Sequence, residues 1–131
     1  MHYLWDWDEL AHHWNNNEFG EVHDWLNERW AQIVKNSPAG DKDTDARFLQ
    51  GLAFAALAIY FTQYGNQESA CLFLDDALMI LPQYTPVHMA IMVEPILETL
   101  HILRPVISLL GPDDACPFQP FVYNKLIFNQ G

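Results

Sequence analysis

Basic side chains are scarce in this sequence, and their scarcity limits the partners it can bind. Six Lys and Arg residues stand against 17 Asp and Glu residues, which gives a formal net charge of -11 at pH 7. The basic residues are scattered one by one, so no cationic cluster offsets this average. A phosphate backbone or an anionic membrane surface would therefore be repelled. We expect neither nucleic acid nor a membrane as a partner.

Cysteines and long apolar runs are also few. Cys71 and Cys116 are the only cysteines, and they form neither a CxxC pair nor a disulfide framework, so we expect reduced thiols. The uncharged run over 48–67 is interrupted by Gln, Thr and Gly, which leaves it short of the roughly 20 apolar residues of a membrane span. The first residues lack the cationic and apolar regions of a signal peptide. These features predict a cytoplasmic protein.

Hydrophobic and aromatic side chains are plentiful. Half of the 131 residues are hydrophobic and 14% are aromatic, including five Trp, which is enough for one core. We predict a single domain over 1–131 with an all-α fold. It consists of a compact antiparallel bundle of about five helices over 1–111 and an extended, proline-rich C-terminal arm over 112–131.

Several helix start and stop signals support this prediction. Asp6, Thr44 and Asn66 are favourable N-cap residues of the first, third and fourth helices. The dipeptide Thr85-Pro86 predicts the start of a last helical stretch, because proline is favoured at the first helical position. The predicted limits are Glu18 to Lys35 for the second helix, Thr44 to Tyr64 for the third, Asn66 to Leu81 for the fourth, and Thr85 to Leu110 for a last stretch that Pro95 and Pro105 kink or divide.

The third and fourth helices differ in their apolar faces. The third helix is apolar all round, which predicts that it is the central, enclosed member of the bundle. The fourth helix has one main apolar stripe, but Leu72 and Met79 lie on its opposite side. These two side chains need a cover, which either the C-terminal helices or a second subunit would supply.

Two Glu-x-x-His pairs have the ligand spacing of carboxylate-bridged dimetal bundles. They are Glu9 with His12 and Glu98 with His101. On helical wheels both pairs lie opposite the apolar stripe of their helix, whereas a dimetal site needs ligands that point inward. We therefore interpret both pairs as solvated surface residues.

His23 differs from the other polar residues of the second helix because it lies beside Phe19 and Trp30 on the inward side. It is either a core residue with satisfied ring nitrogens or a ligand or acid/base that faces a small pocket. Arg29 also falls within the apolar arc, and we expect it to pair with Asp75 or Asp76 of the fourth helix.

Three segments resemble a known family. They are Phe19 to Trp30, Phe48 to Leu52, and Ala55 to Tyr60 leading into Tyr64-Gly65-Asn66. Together they resemble the small helical proteins catalogued as domain of unknown function 309, over roughly residues 10 to 85. The family motif, His-x-x-x-Glu-x-x-Trp/Tyr, implies metal binding or hydrolase activity. His23 and Trp30 match it, but Asn27 replaces the glutamate and Tyr60 stands where many relatives have a second histidine.

Two functions remain open at this point. The first is a non-enzymatic helical module that binds a protein or a second copy of itself, as a homodimer, through its acidic surface, its fourth helix and its aromatic arm. The second is a small metal-dependent, hydrolase-like enzyme or ligand-binding protein with a pocket around His23, Asn27, Trp30, Gln50 and Tyr60. We favour the first and expect no cofactor, because Asn27 is a poor ligand and no base. In the second, His23 is the candidate acid/base or ligand of a divalent metal.

Overall fold

The structure, a computed structural model, describes residues 3–109 and 125–128, and its fold is all-α, as predicted. Five α-helices occupy most of these residues, and one hairpin of two-residue strands accompanies them. The helices are α1 (Trp7–Asn15), α2 (Phe19–Asn36), α3 (Thr44–Gln63), α4 (Gln67–Ile80) and α5 (Glu94–Ser108), and the strands are β1 (Val87–His88) and β2 (Ile91–Met92).

Side-chain caps fix where three of the helices begin. The carboxylate of Asp6 accepts a hydrogen bond from the backbone N–H of Glu9 at 3.1 Å, and Asn66 caps α4 in the same way. The N-cap of α3 is Asp43, so our assignment of Thr44 was wrong by one residue. Asp43 competes better for this position because a carboxylate is favoured beside the positive end of the helix dipole.

The central position predicted for α3 is confirmed. Eleven of its twenty residues are buried, and it packs against α2 on one side and α4 on the other. Gly51 permits the close approach of α4, since a Cβ at this position would lie 2.8 Å from Ile80 Cγ2. Gly65, with a φ of 73°, closes the tight connection between α3 and α4. The two helices form an antiparallel hairpin, and α2 and α5 pack on it.

The predicted helix start at Thr85-Pro86 is wrong. The chain instead forms the β1–β2 hairpin, in which Val87 pairs with Met92 and His88 with Ile91. Two central residues at positive φ make this turn, the type that matches the twist of paired strands. Helix α5 starts only at Glu94, with Pro95 in its first turn, and it runs unbroken to Ser108 with Pro105 inside it.

The C-terminal arm is described only at 125–128, and the remainder of the predicted arm lies outside the described residues. Over this stretch the chain packs on its own fold. Leu126 is buried, and its backbone N–H donates to Asn15 Oδ1 at 2.9 Å. Phe128 forms a bridge with Ile91, which extends the small sheet. Among the described helices, none has the length and apolar character needed to cross a membrane.

Candidate functional site

A small open cleft of about 100 Å³ lies between α2 and α3. Residues spaced one helical turn apart line it from both sides, because i, i+4 and i+7 positions share one face of a helix. The lining residues are His23, Asn27 and Trp30 from α2 and Gln50, Ala53, Phe54 and Leu57 from α3. The structure thus brings together four of the five residues that we predicted to form a pocket.

His23 lies at the rim of this cleft and not in the core. Its side chain is 32% exposed, and its Nδ1 is 3.3 Å from Asp24 Oδ1 on the outer surface of α2. Trp30 also lines the cleft, and its indole N–H is buried and has no hydrogen-bond partner among the described residues. The lining therefore includes a partly exposed imidazole and a tryptophan whose indole N–H lacks an acceptor.

Tyr60, the fifth predicted pocket residue, lies elsewhere on α3. Its ring packs against Phe61 and Tyr64, with ring centroids 5.3 and 4.6 Å away, and Gly20 lies opposite its Cε1. The neighbouring Tyr64 phenol raises the pKa of Tyr60. Tyr60 shares a face of α3 with Ala53 and Leu57, but it lies about one turn further along the helix, beside Gly20 at the start of α2. Its inclusion in the pocket was wrong.

The ligand set of the cleft does not fit a transition metal. His23 is its one imidazole, and the side-chain amides of Asn27 and Gln50 are much poorer ligands than carboxylates. Within residues 3–109 and 125–128, no group of three or more His, Cys, Asp or Glu residues is placed to hold an ion. All four residues of the two Glu-x-x-His pairs are exposed, as their helical-wheel positions predicted.

All the residues that line this cleft lie within a segment that matches a known protein family. The model of domain of unknown function 309 (DUF309) matches residues 7–72, from the start of α1 into α4. The chain belongs to this family. The DUF309 match includes the whole of α2 and α3, so the cleft between them lies within the region that defines the family. No curated protein and no solved structure matches the chain.

Arg29 does not pair as predicted. Its guanidinium carbon lies 4.1 Å from the centre of the Trp25 ring, and its Nη1 donates to the backbone oxygen of Trp25 and to Glu28. Asp75 instead pairs with Arg104 of α5, which lies 29 residues further along the chain. Arg29 thus finds its partners within its own helix, where a guanidinium stacks well on an indole ring, while its buried Nε has no hydrogen-bond partner among the described residues.

A second candidate site is an apolar surface on α4. Leu72 and Met79 stay 58% and 72% exposed, so α5 does not cover them. Between them, Asp75 accepts a hydrogen bond of 2.7 Å from Arg104 Nη2. We call the surface formed by Leu72, Asp75, Met79 and Arg104 the α4 face. It extends beyond the DUF309 match, which ends at residue 72.

One polar network was missed by the sequence analysis. The hydroxyl of Tyr3 donates a hydrogen bond to Asp45 Oδ2 at 2.9 Å, and His88 Nε2 lies 2.8 Å from Asp45 Oδ1. Burial, together with the Asp45 bond and the charges of Asp45 and Asp43, raises the pKa of Tyr3 to about 12. The partners are more than 40 residues apart in the chain, so no local pattern could have indicated the network.

Proposed function

We propose that this DUF309 protein is a non-enzymatic interaction module that pairs with a second copy of itself through the α4 face. The observation that carries the proposal is the exposure of Leu72 and Met79 at positions seven residues apart, which places them on one side of the helix. Covering a large aliphatic side chain stabilises a complex by about 1.5–3 kcal/mol. Two such side chains per copy would supply four anchors to a symmetric pair.

The charges of the α4 face support a second copy as the occupant. With a net charge of -11, two copies repel each other over most of their surface. On the α4 face the carboxylate of Asp75 is already neutralised by Arg104. A two-fold interface requires a self-complementary surface, and one that carries an acid, a base and apolar anchors meets this requirement. The Asp75 of each copy would face the Arg104 of the other.

The part of the C-terminal arm that the structure describes lends no support to this proposal. Its described stretch, 125–128, packs on the chain's own α1 and hairpin, where Leu126 is buried and the carbonyl of Ile127 accepts from the backbone N–H of Met92. The proposal therefore depends on the α4 face alone.

Sedimentation velocity over a range of protein concentrations tests the proposal. The variants Leu72→Glu and Met79→Glu should each weaken dimerisation by about 2 kcal/mol, or roughly 30-fold, because a charge would be buried at an anchor position. Ile102→Glu is the matched control. It also adds one acid at an exposed apolar residue, but on the side of α5 away from Arg104. Equal weakening in all three variants would indicate general charge repulsion and would reject the α4 face.

The cleft at His23 supports a second candidate function, the binding of a small ligand. The unsatisfied indole N–H of Trp30 carries this alternative. Elemental analysis of protein purified without nickel tests whether ligand binding at the cleft depends on a metal. Metal-dependent binding requires stoichiometric metal that is lost in His23→Ala and kept in His12→Ala.

Titration with acetate, monitored at the Trp30 indole N–H by NMR, tests whether the cleft binds a ligand without metal. An unmoved resonance together with absent metal would remove this candidate.

A further inference from the structure

A larger cavity, which shares no lining residue with the His23 cleft, lies where the segment before α1 crosses the end of α2 and the loop that follows it. Its volume is about 340 Å³, within the range typical of small-molecule sites. It is lined by Tyr3, Trp5, Gln32, Asn36, Ser37 and Asp43, among others. Tyr3 and Trp5 precede the DUF309 match, so the cavity is not contained in the region that defines the family.

Two aromatic rings are held rigidly at this cavity. The rings of Tyr3 and Trp5 stack with centroids 4.2 Å apart and an angle of 15° between their planes. Trp5 also meets the buried Trp25 edge to face at 6.0 Å, while the hydroxyl of Tyr3 is anchored on Asp45. Rings that are already ordered lose little entropy when a ligand packs against them, and they offer π faces to a flat or cationic group.

The lining of the cavity also carries a negative charge, the carboxylate of Asp43. Asp43 accepts three hydrogen bonds, from Ser37 Oγ and from the backbone N–H groups of Asp45 and Ala46. The Ser37 bond and these two backbone bonds hold the pKa of the Asp43 carboxyl below its usual range, against the opposing effect of burial. A carboxylate has about four acceptor positions, so one remains for a ligand. The lining also includes Gln32 and Asn36, whose side-chain amide donates to the backbone oxygen of Gln32.

We propose that this cavity binds a small aromatic amine. Its ring packs on Tyr3 and Trp5, and its ammonium group forms an ion pair with Asp43. The net charge of -11 also favours a positively charged ligand, because it attracts cations and repels aromatic acids of the same size. This site is independent of the α4 face.

Calorimetric titration of the full chain with two matched indoles tests the proposal. The probes are tryptamine, which carries an ammonium group, and indole-3-acetate, which carries a carboxylate. Tryptamine should bind at least about tenfold more tightly, since an ion pair and a cation–π contact favour it alone. Equal affinities, or no heat from either probe at millimolar concentrations, would overturn the proposal.

Variants then place the ligand in this cavity. Trp5→Leu should reduce tryptamine affinity about tenfold, and Trp5→Phe should restore most of it because the ring is kept. Leu4→Ala is the control, since Leu4 is fully exposed beside the cavity. Asp43→Asn keeps a favourable N-cap on α3 while removing the charge, so it should abolish the preference for tryptamine. Tryptamine binding unchanged in Trp5→Leu and Asp43→Asn would overturn the proposal.

Discussion

At the scale of single residues, two glycines within helices show how packing decides the sign of one substitution. A Cβ on Gly51 would lie 2.8 Å from Ile80 Cγ2 and 3.2 Å from Leu81 Cγ. Neither atom is the end of a long flexible side chain, and Ile is stiff at χ1. A Cβ on Gly20 would meet only Tyr60 Cε1, at an ordinary 3.6 Å.

We predict opposite effects of alanine at these two positions. Gly51→Ala should lower the free energy of unfolding by about 1 kcal/mol or more, because overpacking outweighs the better helix propensity of alanine. Gly20→Ala should raise it by about 0.5–1 kcal/mol through propensity alone. Urea denaturation of both variants measures these changes. A stabilised Gly51→Ala would show that α3 and α4 are further apart than described.

The raised pKa of Tyr3 predicts an alkaline loss of stability. Because folding raises this pKa from 10.0 to about 12, the stabilisation is complete below pH 10 and is lost as the pH rises towards 12. The difference in unfolding free energy between the wild type and Tyr3→Phe should therefore be constant near neutral pH and shrink across that window. Tyr84, whose pKa burial also raises, is present in both proteins and cancels. A difference that stays constant to pH 12 would contradict the Tyr3–Asp45 bond.

At the scale of elements, the helices were predictable and the hairpin was not. Asp6, Asn66 and Gly65 are local signals, and α1, α4 and the turn between α3 and α4 lie where these signals place them. The β1–β2 hairpin is stabilised by contacts with residues far along the chain, such as Phe128, and Thr85-Pro86 carries a helix signal that these contacts override. Such tertiary contacts produce no periodic hydrophobic pattern in the sequence, so they could not be predicted from it.

The packing of 125–128 gives a prediction at this scale. Leu126→Ala should destabilise the fold by about 2–4 kcal/mol, because it leaves a cavity beside α1 and the hairpin. Ile127→Ala is the control, since the Ile127 side chain is exposed and only its backbone bonds to Met92. Thermal unfolding of the two variants distinguishes them. Equal and small shifts would mean that this stretch does not dock on the core.

At the scale of the whole molecule, the sequence predicted an all-α bundle and most of one cleft. His23, Asn27 and Trp30 share a helix face, so their meeting follows from spacing, and Gln50 faces them because α2 and α3 are antiparallel neighbours. Tyr60 shares this face of α3 but lies about one turn beyond the cleft, beside Gly20, so helical phase alone did not exclude it. The cavity at Tyr3 and Trp5 was not predicted, because it depends on where a segment outside the helices crosses α2.

The central claim is that two copies meet face to face on α4, and exchanging its charges tests this most directly. Asp75→Lys and Arg104→Asp should each be monomeric by light scattering, because each places like charges across the two-fold axis. An equimolar mixture should recover the dimer mass, about twice 15.2 kDa, since each charge contact between the two copies then joins opposite charges. A mixture that stays at the monomer mass, while the wild type dimerises, would contradict pairing through this face.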